Sequence, residues 1–169
     1  MDLQTSEFSR VYELAKTALQ SSGNFQTMSQ GFSCKKNWPQ GSGGYLIWRI
    51  ISPEDRELLY IGKSGTLKRC ANGNLCIRDE QRGFCKRLDR WTPYSFFPDS
   101  FCYAPKFSGN TKPKSHSIEN YASKVPLKEI EVDFFICPKI DLAPAYIEAV
   151  LLQSYIATYN QLPPANNGF

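Results

Sequence analysis

Gly43-Gly44-Tyr45-Leu46-Ile47-Trp48-Arg49-Ile50-Ile51 and Leu58-Leu59-Tyr60-Ile61-Gly62 flank the polar segment Ser52-Pro53-Glu54-Asp55-Arg56-Glu57, and the fold turns on how these two runs are read. Residues 45–51 and 58–61 are rich in aromatic and β-branched side chains, which favour a pleated strand. The segment between them has the proline and acidic residues of a turn, so the pair predicts an antiparallel hairpin. A register with Ile51 opposite Leu58 puts Tyr45 and Tyr60 on one face, offset by four residues or roughly 13 Å. A shift that keeps parity brings the rings closer, whereas a slip of one residue sends them to opposite faces.

Outward from the hairpin, residues 6–22 predict an amphipathic helix, with Phe8, Val11, Tyr12, Ala15, Ala18 and Leu19 at three-and-four spacing and Gly23 as a cap. Residues 24–42, rich in Gln, Ser, Gly and Asn, read as an irregular connection. Residues 79–91 read as a helix presenting Phe84, Leu88 and Trp91, although Gly83 weakens it. Five prolines in residues 92–126 indicate an irregular insertion. Ile130-Glu131-Val132-Asp133-Phe134-Phe135-Ile136 reads as a third strand, and Pro144 to Tyr159 as a helix with proline in its first turn. Ile147, Val150, Leu151, Leu152, Tyr155 and Ile156 ring that helix almost completely, which predicts that it is largely buried. The expected fold is α+β, a small three-stranded antiparallel sheet flanked by helices. Residues 1–42 form an N-terminal helical appendage, and residues 43–169 form the core domain with insertions at about 64–79 and 92–126.

Length and composition are those of one globular domain: 169 residues, 41% apolar and 21% charged. No apolar run approaches the roughly 20 residues of a membrane span, and the N-terminus lacks the pattern of a secretory signal, so a cytoplasmic location is expected. Six cysteines at irregular spacing read as reduced, packed thiols. A zinc site from Cys70, Cys76, Cys85 and His116 is the alternative. Charge is uneven: residues 61–90 carry eight Lys/Arg against three acids, whereas residues 125–169 carry five acids against two lysines. A basic middle suits phosphate and an acidic end suits a cation, although an ordinary mixed surface gives the same count.

Glu148 is the one ionised residue of the helix from Pro144 to Tyr159. Such a carboxylate needs a cationic partner, a metal ion or a proton. Its place near the helix N-terminus, together with an unseen Lys or Arg, would be explanation enough. Tyr45 and Tyr60 each suit simple packing. As catalytic groups they would have to give up a proton held with an ordinary pKa of about 10, and Lys63 is the nearby cation that could favour the phenolate.

The order Gly43-Gly44-Tyr45, Tyr60-Ile61-Gly62, a basic segment and then Glu148 resembles the GIY-YIG nuclease family, over residues 43 to about 160. The second motif agrees letter for letter, while the first has glycine where isoleucine is common. The resemblance implies an arginine on the following helix. Arg87, in Lys86-Arg87-Leu88-Asp89-Arg90-Trp91, is preferred to Arg69, which Asn72-Gly73 follows closely as a break. Trp91 stands where the restriction enzymes of the family carry a histidine. Glu148 is similar to the family's metal ligand, and Asn160 to its asparagine, a residue that also suits a helix C-cap.

The resemblance implies metal-dependent cleavage of double-stranded DNA by a type II restriction endonuclease. Glu148 would hold Mg²⁺ or Mn²⁺, Tyr45 would act as base with Lys63 beside it, and Tyr60 would orient water or phosphate. Arg87 would neutralise charge on the phosphorane. A homodimer would cut both strands of a symmetric site. The alternatives are a monomeric repair, phage or mobile-element nuclease, a non-catalytic nucleic-acid-binding domain and a zinc-stabilised interaction module.

Overall fold

Alternation along the hairpin is nearly absent, because Tyr45, Leu46, Ile47 and Trp48 are all buried: the sheet is covered on both faces. The computed structural model describes residues 13, 15–17, 19–20, 26–31, 39, 41–78, 84, 100–103, 123–137 and 142–166. The fold is mixed α+β. Its central sheet has four antiparallel strands in the order β1-β8-β2-β3, where β1 is Gln26–Gly31, β2 Ser42–Ser52, β3 Asp55–Ser64 and β8 Ile130–Cys137. The three strands expected from sequence are present. The fourth, β1, corrects the reading of residues 24–42 as irregular: Met28 pairs with Phe134 and Ser29 with Asp133. Its six residues, Gln-Thr-Met-Ser-Gln-Gly, carry little strand propensity and gain their structure from the ladder to β8.

The segments expected as insertions contain two ribbons. β4 (Thr66–Arg69) pairs with β5 (Leu75–Arg78), and β6 (Ser100–Tyr103) with β7 (Ser123–Pro126). Asn72-Gly73 is the tip of the first ribbon, where Gly73 has φ 82° and its N–H donates to the Cys70 carbonyl at 2.9 Å. Cys70 and Cys76 are joined as a disulfide across this ribbon. That overturns both the expectation of reduced thiols at these positions and their use as zinc ligands, since a disulfide sulfur is no longer a thiolate. Cys85 and His116 lie outside the described residues.

On one face, Leu46, Trp48, Ile61, Phe135 and Cys137 pack against the helix α1 (Pro144–Tyr159) through Ile147, Leu151, Leu152 and Tyr155. Ala15 and Leu19, in helical backbone, are buried in the same cluster. The N-terminal helical residues therefore dock on this core. The other face joins Tyr45, Ile47, Leu59, Val132 and Phe134 to Phe84, Phe101 and Val125. α1 is not enclosed all round, as the apolar pattern had suggested. Ala145, Tyr146, Ala149, Gln153 and Ala157 are exposed, because a single sheet covers one side of it. No helix of the described residues is long and apolar enough to cross a membrane.

Gly44 sets how closely α1 approaches. A Cβ there would stand 2.6 Å from Ile147 Cγ2 and 3.5 Å from Leu151 Cδ1. A β-branched side chain on a helix has little freedom to yield. Gly44→Ala is expected to destabilise the fold by about 1–3 kcal/mol, read from the urea midpoint. An unchanged midpoint would show that α1 can dock further out.

Near the other end of α1, burial first, and then the charges of Tyr159 and Glu57, push the Tyr155 phenol from 10.0 up to about 12. The folded-state value lies above the unfolded one, so this contribution is intact below about pH 10. It is lost as pH rises from about 10 to about 12, by up to about 2 kcal/mol. Comparing urea stability against pH for the wild type and Tyr155→Phe isolates the effect. The variant is expected to lose less stability across that window.

Candidate active site

The hairpin register decides where the two tyrosines meet. Tyr45 lies opposite Gly62 and Ile47 opposite Tyr60, and the next pair is Trp48 with Leu58. Leu59 is thus the extra residue of a bulge, and it shares the face of Tyr60. This is the parity-keeping shift among the expected registers. The Tyr45 and Tyr60 ring centroids stand 5.8 Å apart with planes at 36°. Gly62 leaves the space beneath them: a Cβ there would fall 2.9 Å from the Tyr45 hydroxyl oxygen and clash with the Tyr60 ring. Tyr45 is 1% exposed and Tyr60 half-buried. The ring of Phe84, a helical residue, meets Tyr45 edge-on at 6.2 Å.

Lys63 follows Gly62 and pairs with Gly44, so it belongs to the opposite face, the side of α1. There its Nζ lies 3.3 Å from Glu148 Oε2, with side chains 35% and 22% exposed. This corrects the role expected for Lys63: its partner is the carboxylate and not the Tyr45 phenol. It also supplies the cation that a charge on an apolar helix requires. The structure therefore brings Tyr45 to Tyr60 and Lys63 to Glu148. The two pairs flank one end of β3 from opposite sides.

Asn160 does not join them. It caps α1 in the left-handed conformation, φ 51°, with its N–H donating to the Ile156 carbonyl at 2.7 Å. Twelve helical residues from Glu148 correspond to about 18 Å. Arg69 is exposed on a strand, not on a helix. Arg87 lies outside the described residues, three positions beyond Phe84 in sequence.

Two further residues, Asn166 and Asp133, hold the site's scaffold. Asn166, buried in the C-terminal tail, accepts from the Ile61 N–H at 2.9 Å and donates to the Ile61 carbonyl at 2.8 Å. Ala165 N–H adds a bond to the Leu59 carbonyl at 2.8 Å, so the outer edge of β3 is capped at the second tyrosine motif. Asn166 gives no sequence signal, being one polar residue in a Pro-Asn-rich tail. Asp133 is 3% exposed and accepts from Trp48 Nε1 at 2.9 Å and from the Ser29 hydroxyl, with Arg56 Nη1 at 3.5 Å. A carboxylate interrupting an apolar strand was the signal for such a network.

Among the described residues no three His, Cys, Asp or Glu side chains cluster as a metal site. Glu148 alone suits a magnesium ion only if water and phosphate oxygens supply the remaining ligands. The chain matches no known family model, no curated protein and no solved structure.

Partial exposure makes the Lys63–Glu148 pair a weak contributor to stability. A double-mutant cycle with Lys63→Met and Glu148→Gln is expected to give a coupling below about 1 kcal/mol in urea denaturation. A coupling of about 3 kcal/mol would make the pair structural.

Proposed function

We propose that the protein is a metal-dependent endonuclease for double-stranded DNA, of the type II restriction kind, with its active site at the end of β3. The observation that carries this reading is the Tyr45–Tyr60 pair packed over Gly62, one residue before the Lys63–Glu148 pair. In the proposed mechanism Tyr60, the more exposed ring, would orient the attacking water and relay its proton, taking one from the water while passing its own phenolic proton to a phosphate oxygen. Tyr45, at 1% exposure, would support Tyr60 from behind, in place of the base role expected for it. A DNA strand crossing the end of β3 would reach both sides of it. Glu148 would hold Mg²⁺, which supplies charge neutralisation at the scissile phosphate. Lys63, displaced from Glu148, would turn to a phosphate oxygen. Arg87 would stabilise charge developing on the phosphorane. Arg87 is preferred to Arg69 because Arg69 lies exposed on the strand β4 and not on a helix. Two copies would cut the two strands of a symmetric site.

One observation favours a second reading, a nucleic-acid-binding domain without catalysis. Lys63 neutralises Glu148, so the carboxylate has an explanation that needs no metal. Incubation of duplex DNA of mixed sequence with Mg²⁺ separates the two. The nuclease reading expects discrete fragments from the wild type and at least about a hundredfold slower cleavage by Tyr60→Phe, Glu148→Gln and Arg87→Ala, with DNA binding retained. DNA bound but uncut with Mg²⁺ and Mn²⁺ would leave the binding domain as the function.

A further inference from the structure

At the far end of α1 from Glu148, a cavity of about 170 Å³ opens between the hairpin, the helix and the C-terminal tail. Its lining includes Trp48, Arg56 and Glu57 from the hairpin, Tyr155 and Tyr159 from α1, and Gln161 beyond it. Planar groups make up much of the wall. The Tyr155 and Tyr159 rings stand 4.7 Å apart with planes at 41°, and the Arg56 guanidinium lies 4.1 Å above the Trp48 ring.

Arg56 is held at one nitrogen. Its Nη1 contacts Glu131 Oε1 at 3.2 Å and Asp133 Oδ2 at 3.5 Å, and Asp133 in turn accepts from the Trp48 indole at 2.9 Å. This guanidinium already has carboxylate partners at Nη1. It still offers a planar surface, as aromatic rings do, on which a heterocycle can stack. The cavity is smaller than the roughly 300 Å³ at which pockets for drug-sized molecules begin, so it suits one ring system. Its rim carries a carboxylate at Glu57 and an amide at Gln161, groups that can pair with a donor and acceptor edge.

We propose that this cavity is a binding site for a single unpaired nucleobase, stacked on the Tyr155–Tyr159 wall. It would hold a base extruded from a duplex or a base of a single strand. It stands apart from the cleavage chemistry, because binding there needs neither Glu148 nor a metal ion.

The test is titration of the metal-free protein with the four 2′-deoxynucleoside 5′-monophosphates, read by saturation-transfer NMR on the base protons. Saturable binding of at least one is expected. Tyr159→Ala should weaken it about tenfold or more, while Tyr159→Phe, which keeps the ring, should leave it unchanged. Should Tyr159→Ala fail to fold, Gln161→Ala in the same titration tests the same cavity from its exposed rim, with weaker binding expected. The proposal is overturned by the absence of saturable binding at millimolar nucleotide. It is equally overturned if deoxyribose 5-phosphate binds as well as the nucleotides, since the phosphate would then be the ligand. Displacement of the nucleotide by tetramethylammonium would assign the cavity to cations and also overturn it. DNA cleavage that persists without nucleotide binding would leave the nuclease reading standing and this one refuted.

Discussion

Close packing on both sides of the β2–β3 hairpin requires that Gly44 and Gly62 carry no side chain, and the remaining elements are arranged around that contact. They sit on neighbouring rungs of the ladder, Gly44 opposite Lys63 and Tyr45 opposite Gly62. Their missing side chains consequently open opposite faces. Gly44 admits Ile147 and so brings α1 onto the sheet, and Gly62 admits the two tyrosine rings. One local feature thus fixes both the helix that carries Glu148 and the phenol pair.

A second constraint is polar. Asp133 lies in the buried middle of the sheet and draws Ser29 of β1, Trp48 of β2 and Arg56 of β3 to a strand that is otherwise apolar. A buried carboxylate is costly without partners, so the network favours the one arrangement of strands that supplies all three donors. β1 has few apolar side chains with which to hold its place, and the contact from Ser29 supplements its ladder to β8. The same network holds Arg56 over Trp48, beside the cavity at the far end of α1.

The two ends of α1 therefore differ in chemistry. At its start a partly exposed ion pair lies beside the end of β3. Near its end, aromatic rings and the Arg56 guanidinium line a small cavity. Asn166 ties the tail to Ile61 between these two regions, holding the strand that serves both.

The residues themselves determined the hairpin, the third strand from Ile130, and α1 with its lone carboxylate, because each depends on local propensity and short-range pattern. Glu148 also announced its need for a partner, since a charge among Ile147, Val150, Leu151 and Leu152 is unstable alone. What the sequence could not convey depends on contacts between distant segments. β1 exists through pairing with a strand about 100 residues later, and α1 is only half-buried because a single sheet reaches it. Asn72-Gly73 fits a helix break or a hairpin tip equally well until Leu75–Arg78 returns along Thr66–Arg69. The identity of Lys63's partner was decided last and only by tertiary structure. Strand alternation turned Lys63 away from the tyrosines, and the missing side chain of Gly44 let α1 bring Glu148 within 3.3 Å.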